Sequence, residues 1–223
     1  MEVIARIRTD FPTKFGIPRQ SGLAPELKAT IEFEGEYRNP DALRGIEQFS
    51  HIWLLWGFSI PDRRWTATVR PPRLGGNARL GVFATRSPYR PNPIGLSCVK
   101  LDNVILDQAR GPLLEVSGAD LMDMTPIYDI KPYIKYTDCR PDASDGFAGE
   151  RLGYSLEVVF ARQYLEKIPV DKREALIEVL RQDPRPAYQD DANRVYGFEY
   201  AGFDIRFTVE GQTLTVREVV RLQ

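Results

Sequence analysis

Apolar and polar positions alternate with period two along much of the first half of the chain, the pattern of strands that cover one face. "EVIARI" (2–7) sets Val3, Ala5 and Ile7 on one side. "HIWLLWGF", from His51 to Phe58, is a continuous apolar run short enough for a strand buried on both faces. Further strands are predicted in "TATVR" (66–70), "RLGVFAT" (79–85), "GLSCVKLDNVIL" (95–106) and "LLEVSG" (113–118). The intervening "RPPRLGG", "RSPYRPNPIG" and "RGPL" cannot continue a ladder, because proline lacks the N–H and glycine marks turns. Many short strands with such turns predict a closed or nearly closed N-terminal β-barrel whose long connections hold the function.

The pattern changes near residue 137. "TDCRPDASDGFAGERLG" (137–153) is polar and poor in apolar residues, as expected of a linker or long loop. After it come a strand in "YSLEVVF", a helix, and a meander in which Tyr196, Phe198 and Tyr200, then Phe203, Ile205, Phe207 and Val209, then Leu214 and Val216 alternate. Asp171 followed by Glu174 predicts a capping box, and Ala175, Leu176, Val179 and Leu180 share one helical face that "DPRP" terminates at Asp183. The expected fold is mainly β: a barrel over 1–137, a linker over 138–153 and a smaller α+β domain over 154–223.

Composition narrows the chemistry. A chain of 223 residues with 43% hydrophobic positions buries a sizeable core. It has no run of about 18 apolar residues, and "MEVIARIRTD" is unlike a signal peptide, so a cytoplasmic location without a membrane span is expected. Cys98 and Cys139 lack Cys-x-x-Cys spacing, and His51 is the sole histidine, which argues against a disulfide framework, a zinc site and a Ser-His-Asp relay. Cys98 reads as core filling, and His51 as a hydrogen-bonded residue at a strand start. No metal is expected.

Charge is distributed unevenly. From Pro61 to Asn92 there are seven arginines against Asp62, a net +6, whereas Leu101 to Glu150 carries a net −6. The two segments either neutralise each other in the fold or form a basic surface for a polyanion beside an acidic pocket. Arginine forks onto phosphate, and the interleaved Trp65 and Tyr89 favour the second reading. Gly-x-Gly-x-x-Gly, Walker and nucleophile-elbow motifs are missing, so a nucleotide-type cofactor would be bound outside a Rossmann unit.

Four stretches carry a family resemblance: "FGIPRQSGL" (15–23), "FSHIW" (49–53), "VRPPRLGGNARLGVFATRSPYRPNPIGLS" (69–97) and "DLMDMTPIYDIKPY" (120–133). Together they resemble the TsaA-like family, and "DPRPAY" (183–188) resembles its tRNA methyltransferase branch. The resemblance implies a homodimeric enzyme dependent on S-adenosyl-L-methionine, with a non-Rossmann barrel as cofactor domain. Its substrate would be N6 of threonylcarbamoyladenosine beside the anticodon of tRNA. By the same similarity the cofactor would lie at Pro18, Arg19, Gln20, Phe58, Ser59, Arg86, Leu96, Ser117, Gly118, Ala119, Asp120 and Leu121. Asp120 is the side chain of its segment able to accept both ribose hydroxyls. Pro88, Pro91 and Pro93 stiffen the backbone that presents Arg86 and Arg90.

Candidate contacts to substrate or tRNA are Arg90, Asn92, Lys131, Arg185 and Tyr188, with Arg185 expected to be exposed between two prolines. Methyl transfer to a urea-like nitrogen needs a proton acceptor; Asp120, Tyr128 and Asp129 are candidates by location. Asp123, Asp129 and Lys131 read equally as residues that shape the barrel mouth. Two other functions remain open: a non-catalytic nucleotide- or RNA-binding barrel, and a methyltransferase of a different substrate.

Overall fold

The computed structural model describes residues 1–58, 65–71, 78–151, 153–185 and 191–222, with backbone alone at 150 and 151. In chain order its elements are β1 (Ala5–Arg8), β2 (Lys28–Phe33), β3 (His51–Gly57), β4 (Thr68–Val69), β5 (Leu80–Gly81), β6 (Ile94–Asp107), β7 (Gly111–Ser117), β8 (Pro126–Pro132) and the short helix α1 (Lys135–Asp138). There follow β9 (Glu157–Val159), α2 (Arg162–Leu165), α3 (Val170–Arg181), β10 (Tyr196–Tyr200), β11 (Phe203–Glu210) and β12 (Thr213–Arg221).

Six strands close into a barrel in the order β1-β2-β7-β6-β3-β8, with every pair antiparallel. The expected barrel is therefore present, although its strand list differs. β2 was not anticipated, yet "KATIEF" buries Ala29, Ile31 and Phe33 on alternate positions. β8 lies in the proline-bearing "PIYDIKP", where both prolines occupy end positions and the ladder tolerates a missing N–H. "TATVR" and "RLGVFAT" do not enter the barrel; they shrink to the two-stranded ribbon β4-β5, because residues 82–84 turn into a 3-10 helix. β3 is not buried on both faces. Ile52, Leu54 and Trp56 point inward, while Trp53 on the outer face packs on Tyr133 at 5.6 Å and donates to Asp138 Oδ2 at 3.0 Å.

The outward positions of β6 also correct the reading of Cys98, which is half-buried between the inward Ser97 and Val99 rather than part of the core. His51 does start its strand hydrogen-bonded, its Nδ1 lying 2.9 Å from Ser50 Oγ.

Behind the barrel, α3 packs on a four-stranded sheet ordered β10-β11-β12-β9. Ala175, Leu176, Val179 and Leu180 are buried as their spacing predicts. The capping box is not formed. Pro169 is the N-cap and places Asp171 inside the first turn, where its charge still meets the positive end of the helix.

Two hydrophobic cores result, one inside the barrel and one between α3 and its sheet. The second recruits Phe11, Ala24 and Leu27 from the β1–β2 connection. Phe11 packs against Tyr200 at 5.2 Å, Lys172 pairs with Asp10 at 2.6 Å, and Ala201 N–H donates to Asp10 O. That connection, which carries Pro18, Arg19 and Gln20, is thereby anchored to both halves of the molecule.

Candidate functional site

The centre of the site is built from an inward-facing serine. On β6, Gly95, Ser97 and Val99 face the barrel interior, so Ser97 places a hydroxyl in otherwise apolar surroundings and is 1% exposed. Both sides of that hydroxyl are satisfied. Trp56 Nε1–H donates to Ser97 Oγ at 2.9 Å, and Ser97 O–H donates to Asp120 Oδ1 at 2.6 Å. Trp56 reaches across the strand because position 95 is glycine; any Cβ there would overlap the indole ring.

Asp120 follows β7 on a half-buried loop. Burial pushes its carboxyl above the usual range; the Ser97 hydroxyl, its own backbone N–H, the Arg86 charge and the Ser21 N–H pull the other way. A carboxylate that burial penalises is one whose remaining lone pairs gain most from further donors.

Three loops meet around it. Arg86 is exposed and donates through Nη1 to Gln20 Oε1, while Gln20 Nε2 donates to Arg19 O at 2.6 Å. Ser21 Oγ accepts from Cys98 N–H at 3.2 Å, and Gly22 N–H donates to Gly118 O at 2.8 Å. Gly118 has φ 76°, and a Cβ there would stand 3.3 Å from Gly22 Cα, so both the backbone sign and the close approach require glycine. Phe58 closes one side, its ring 4.3 Å from Trp56 and its N–H on Pro93 O.

The structure thus gathers Gln20, Phe58, Arg86 and Asp120, with Pro18 and Arg19 on the same anchored connection. Other expected residues differ in what they can offer. Ser117 Oγ donates to Asp102 and accepts from Lys28 Nζ at 2.8 Å on the outer barrel wall, and its backbone lies in register with Lys28 and Lys100 of the two neighbouring strands. Ala119 and Leu121 turn their side chains into the barrel core. Leu96 is 52% exposed on the outer face, one position from Ser97 and therefore opposite it. Ser59 and Tyr188 lie outside the described residues.

Arg90 folds back, donating through Nη1 to Thr85 O at 3.0 Å and Ser87 O at 3.3 Å, and Asn92 is exposed beside it. Among the described residues no ion pair joins Arg70, Arg79, Arg86 or Arg90 to an acid, and the contact between the two charged segments is the Arg86 charge acting on Asp120. On β8, Tyr128 lays its hydroxyl over Gly57, next to Phe58, while Asp129 pairs with Lys131 at 2.8 Å and accepts from Ile130 N–H. Asp123 caps the end of β1 by accepting from Thr9 N–H, a structural role.

Arg185 corrects its expectation: it is 8% exposed, and its guanidinium forks onto Asp183 at 2.8 and 2.9 Å. A bidentate pair of this kind is rigid. It sets the turn whose carbonyls, Asp183 O and Arg185 O, accept from Arg19 Nη2 at 3.4 and 3.1 Å, tying the end of α3 to the connection at the site. Burial alone would raise the Asp183 carboxyl; the Arg185 bonds and charge outweigh it and hold it below the usual range.

Sequence reasoning missed Ser97, Trp56 and Ser21. The available signal was a polar residue on the inward face of the Gly95-Ser97-Val99 alternation.

Comparison with known proteins agrees with this architecture. The model of the tRNA-methyltransferase O N-terminal domain matches residues 6–139, and that of the TrmO C-terminal domain matches residues 154–222. A tRNA (adenine(37)-N6)-methyltransferase of Escherichia coli is 40% identical over 217 residues, covering 93% of this chain and 92% of the relative. One from Eikenella corrodens is 42% identical over 177 residues, covering 78% and 99%. A crystal structure of TrmO from Pseudomonas aeruginosa superposes with a TM-score of 0.76 at 33% identity, covering 99% of this chain and 98% of that one. With both parts of the chain matched in order and the barrel and its companion sheet reproduced in three dimensions, the chain belongs to the TrmO family.

Proposed function

We propose that the protein is an S-adenosylmethionine-dependent methyltransferase that modifies N6 of threonylcarbamoyladenosine just 3′ of the anticodon in tRNA. The observation that carries this reading is the convergence of Asp120, Arg86 and Gln20 in a chain matched over both parts by the family. The residues present fit the cofactor. Asp120 offers carboxylate lone pairs to a ribose diol, Arg86 offers a guanidinium fork to an amino acid carboxylate, and Phe58 with Trp56 forms an aromatic wall. When bound, S-adenosylmethionine supplies a methyl group already activated by a positive sulfur.

The protein's share of the work is alignment, which contributes up to about 7 to 11 kcal/mol when reacting groups are held in line. The anchored β1–β2 connection and the proline-braced 86–93 loop provide two stiff walls for it. The loop that runs from Gly118 to Asp120 closes a third side, held in place by the Gly22 N–H on Gly118 O. The accepting nitrogen must lose a proton, and with Asp120 holding the ribose, Tyr128 and Asp129 are the candidates left to take it.

In this reading Arg90, Asn92, Lys131 and Tyr188 contact tRNA, whereas Arg185 acts through Arg19 as a positioning residue. In the division into 1–137, 138–153 and 154–223, the barrel binds the cofactor and shares the tRNA contact, to which the C-terminal domain adds Tyr188. The protein works in the cytoplasm as a homodimer, and the exposed Leu96 on the outer barrel face is available to a second subunit. The test is transfer of labelled methyl to tRNA with and without prior threonylcarbamoylation. Label is expected in the modified tRNA alone; equal labelling of unmodified tRNA overturns the substrate assignment.

A further inference from the structure

The β4-β5 ribbon belongs to neither core, yet it carries large exposed aromatics. Its register pairs Thr68 with Gly81 and Val69 with Leu80, and Val82 N–H on Ala67 O extends the pairing toward Trp65 and Phe83. Phe83 is 73% exposed and Trp65 53% exposed. One step beyond the other end of the ladder the same register sets Arg70 opposite Arg79, both exposed. Arg79 Nε donates to Thr68 Oγ1 at 3.1 Å, and neither arginine pairs with an acid among the described residues.

Like charges directly opposite each other weaken a two-stranded ribbon, and exposed aromatic rings gain nothing from water. Both features become favourable against one kind of partner, an unpaired polyanion with flat bases. The stretches 65–71 and 78–93 contain no Asp or Glu. Phe83 is three residues from Arg86, so its Cα lies within about 11 Å of that of a residue at the proposed reaction site.

We propose that this ribbon grips the unpaired loop of the RNA substrate, with Arg70 and Arg79 on its phosphates and Phe83 and Trp65 stacked on bases flanking the one that is methylated. The proposal rests on the reading of the substrate as tRNA and adds where the single-stranded loop is held. Base stacking on an aromatic residue is sequence-tolerant, and backbone contacts by arginine are salt-dependent.

The experiment measures binding of a threonylcarbamoylated anticodon stem-loop RNA by fluorescence anisotropy across a salt series, using the full chain. Phe83→Ala is expected to weaken binding about 10-fold while Phe83→Tyr restores it. Arg70→Gln and Arg79→Gln are each expected to make the slope of log affinity against log salt shallower by about 0.7. Binding of S-adenosylmethionine by all four variants should match the parent, which excludes unfolding as the cause. In turnover assays Phe83→Ala should raise KM for RNA and leave kcat at saturating RNA unchanged.

If the parent methylates the RNA but Phe83→Ala and both glutamine variants bind it as the parent does, the ribbon proposal fails and the functional reading stands. A parent that neither binds nor methylates the RNA overturns both. A change of oligomeric state in Phe83→Ala, seen by sedimentation, assigns the ring to a subunit contact and likewise overturns the proposal.

Discussion

Ser97→Ala removes one hydroxyl that serves two partners. Trp56, 9% exposed, would keep an indole N–H with no acceptor, and a buried donor left unpaired costs about 1 to 3 kcal/mol. Asp120 would lose its 2.6 Å donor, a hydrogen bond to a charged group worth about 1.5 to 3 kcal/mol. The two losses share one atom and are not additive, so a destabilisation of about 3 kcal/mol near neutral pH is expected, a large fraction of the stability of an ordinary domain. Burial already raises the Asp120 pKa, and Ser97 is the leading group that opposes it, so the variant raises it further.

The folded state then holds the Asp120 proton more tightly than the unfolded chain does. Stability contributed by this group is therefore full below the unfolded pKa and declines as pH rises through the raised folded pKa. In Ser97→Ala that decline extends to higher pH, so the penalty should be smaller near pH 4 than at about pH 7.5. Urea unfolding at both pH values reads the difference directly, and calorimetry should show weakened S-adenosylmethionine binding. A penalty equal at the two pH values, or under about 0.5 kcal/mol at both, refutes the account of Ser97 as the support of an ionised Asp120.

Three other outcomes are expected. Arg86→Ala should abolish cofactor binding by calorimetry while changing unfolding free energy by no more than about 0.5 kcal/mol, since the side chain is exposed; loss of the fold instead would make Arg86 structural. Arg185→Met leaves the Asp183 carboxylate buried without its fork and should cost about 3 to 5 kcal/mol at neutral pH. Because Asp183 is held below the usual range, the stabilisation from the pair is present above the unfolded carboxylate pKa and lost as pH falls, so thermal melts of parent and variant should converge toward acid. Tyr128→Phe and Asp129→Asn should leave cofactor affinity unchanged, and the one that takes the N6 proton should slow single-turnover methyl transfer by about 100-fold or more.

Period-two alternation in β1, β6, β7 and β10 to β12 was sufficient to predict a strand-rich barrel and a later meander, because each strand covers one face and the face is written in every second residue. The helical face of α3 was legible for the same reason. Motif order also pointed to the family and brought Gln20, Arg86 and Asp120 forward as candidates. What local pattern does not encode is which distant groups share a space. The closing of β8 despite its two prolines, the exile of β4 and β5 from the barrel, and the recruitment of Phe11 into the second core are all decided by long-range packing. So is the fate of charge: Arg185 looked exposed between prolines and is buried, because Asp183 across a two-residue turn neutralises it and Arg19 locks the turn from the other half of the chain. The Trp56-Ser97-Asp120 chain joins two strands and a loop that are far apart in sequence, and its hydrogen bonds exist only once the barrel has closed around them.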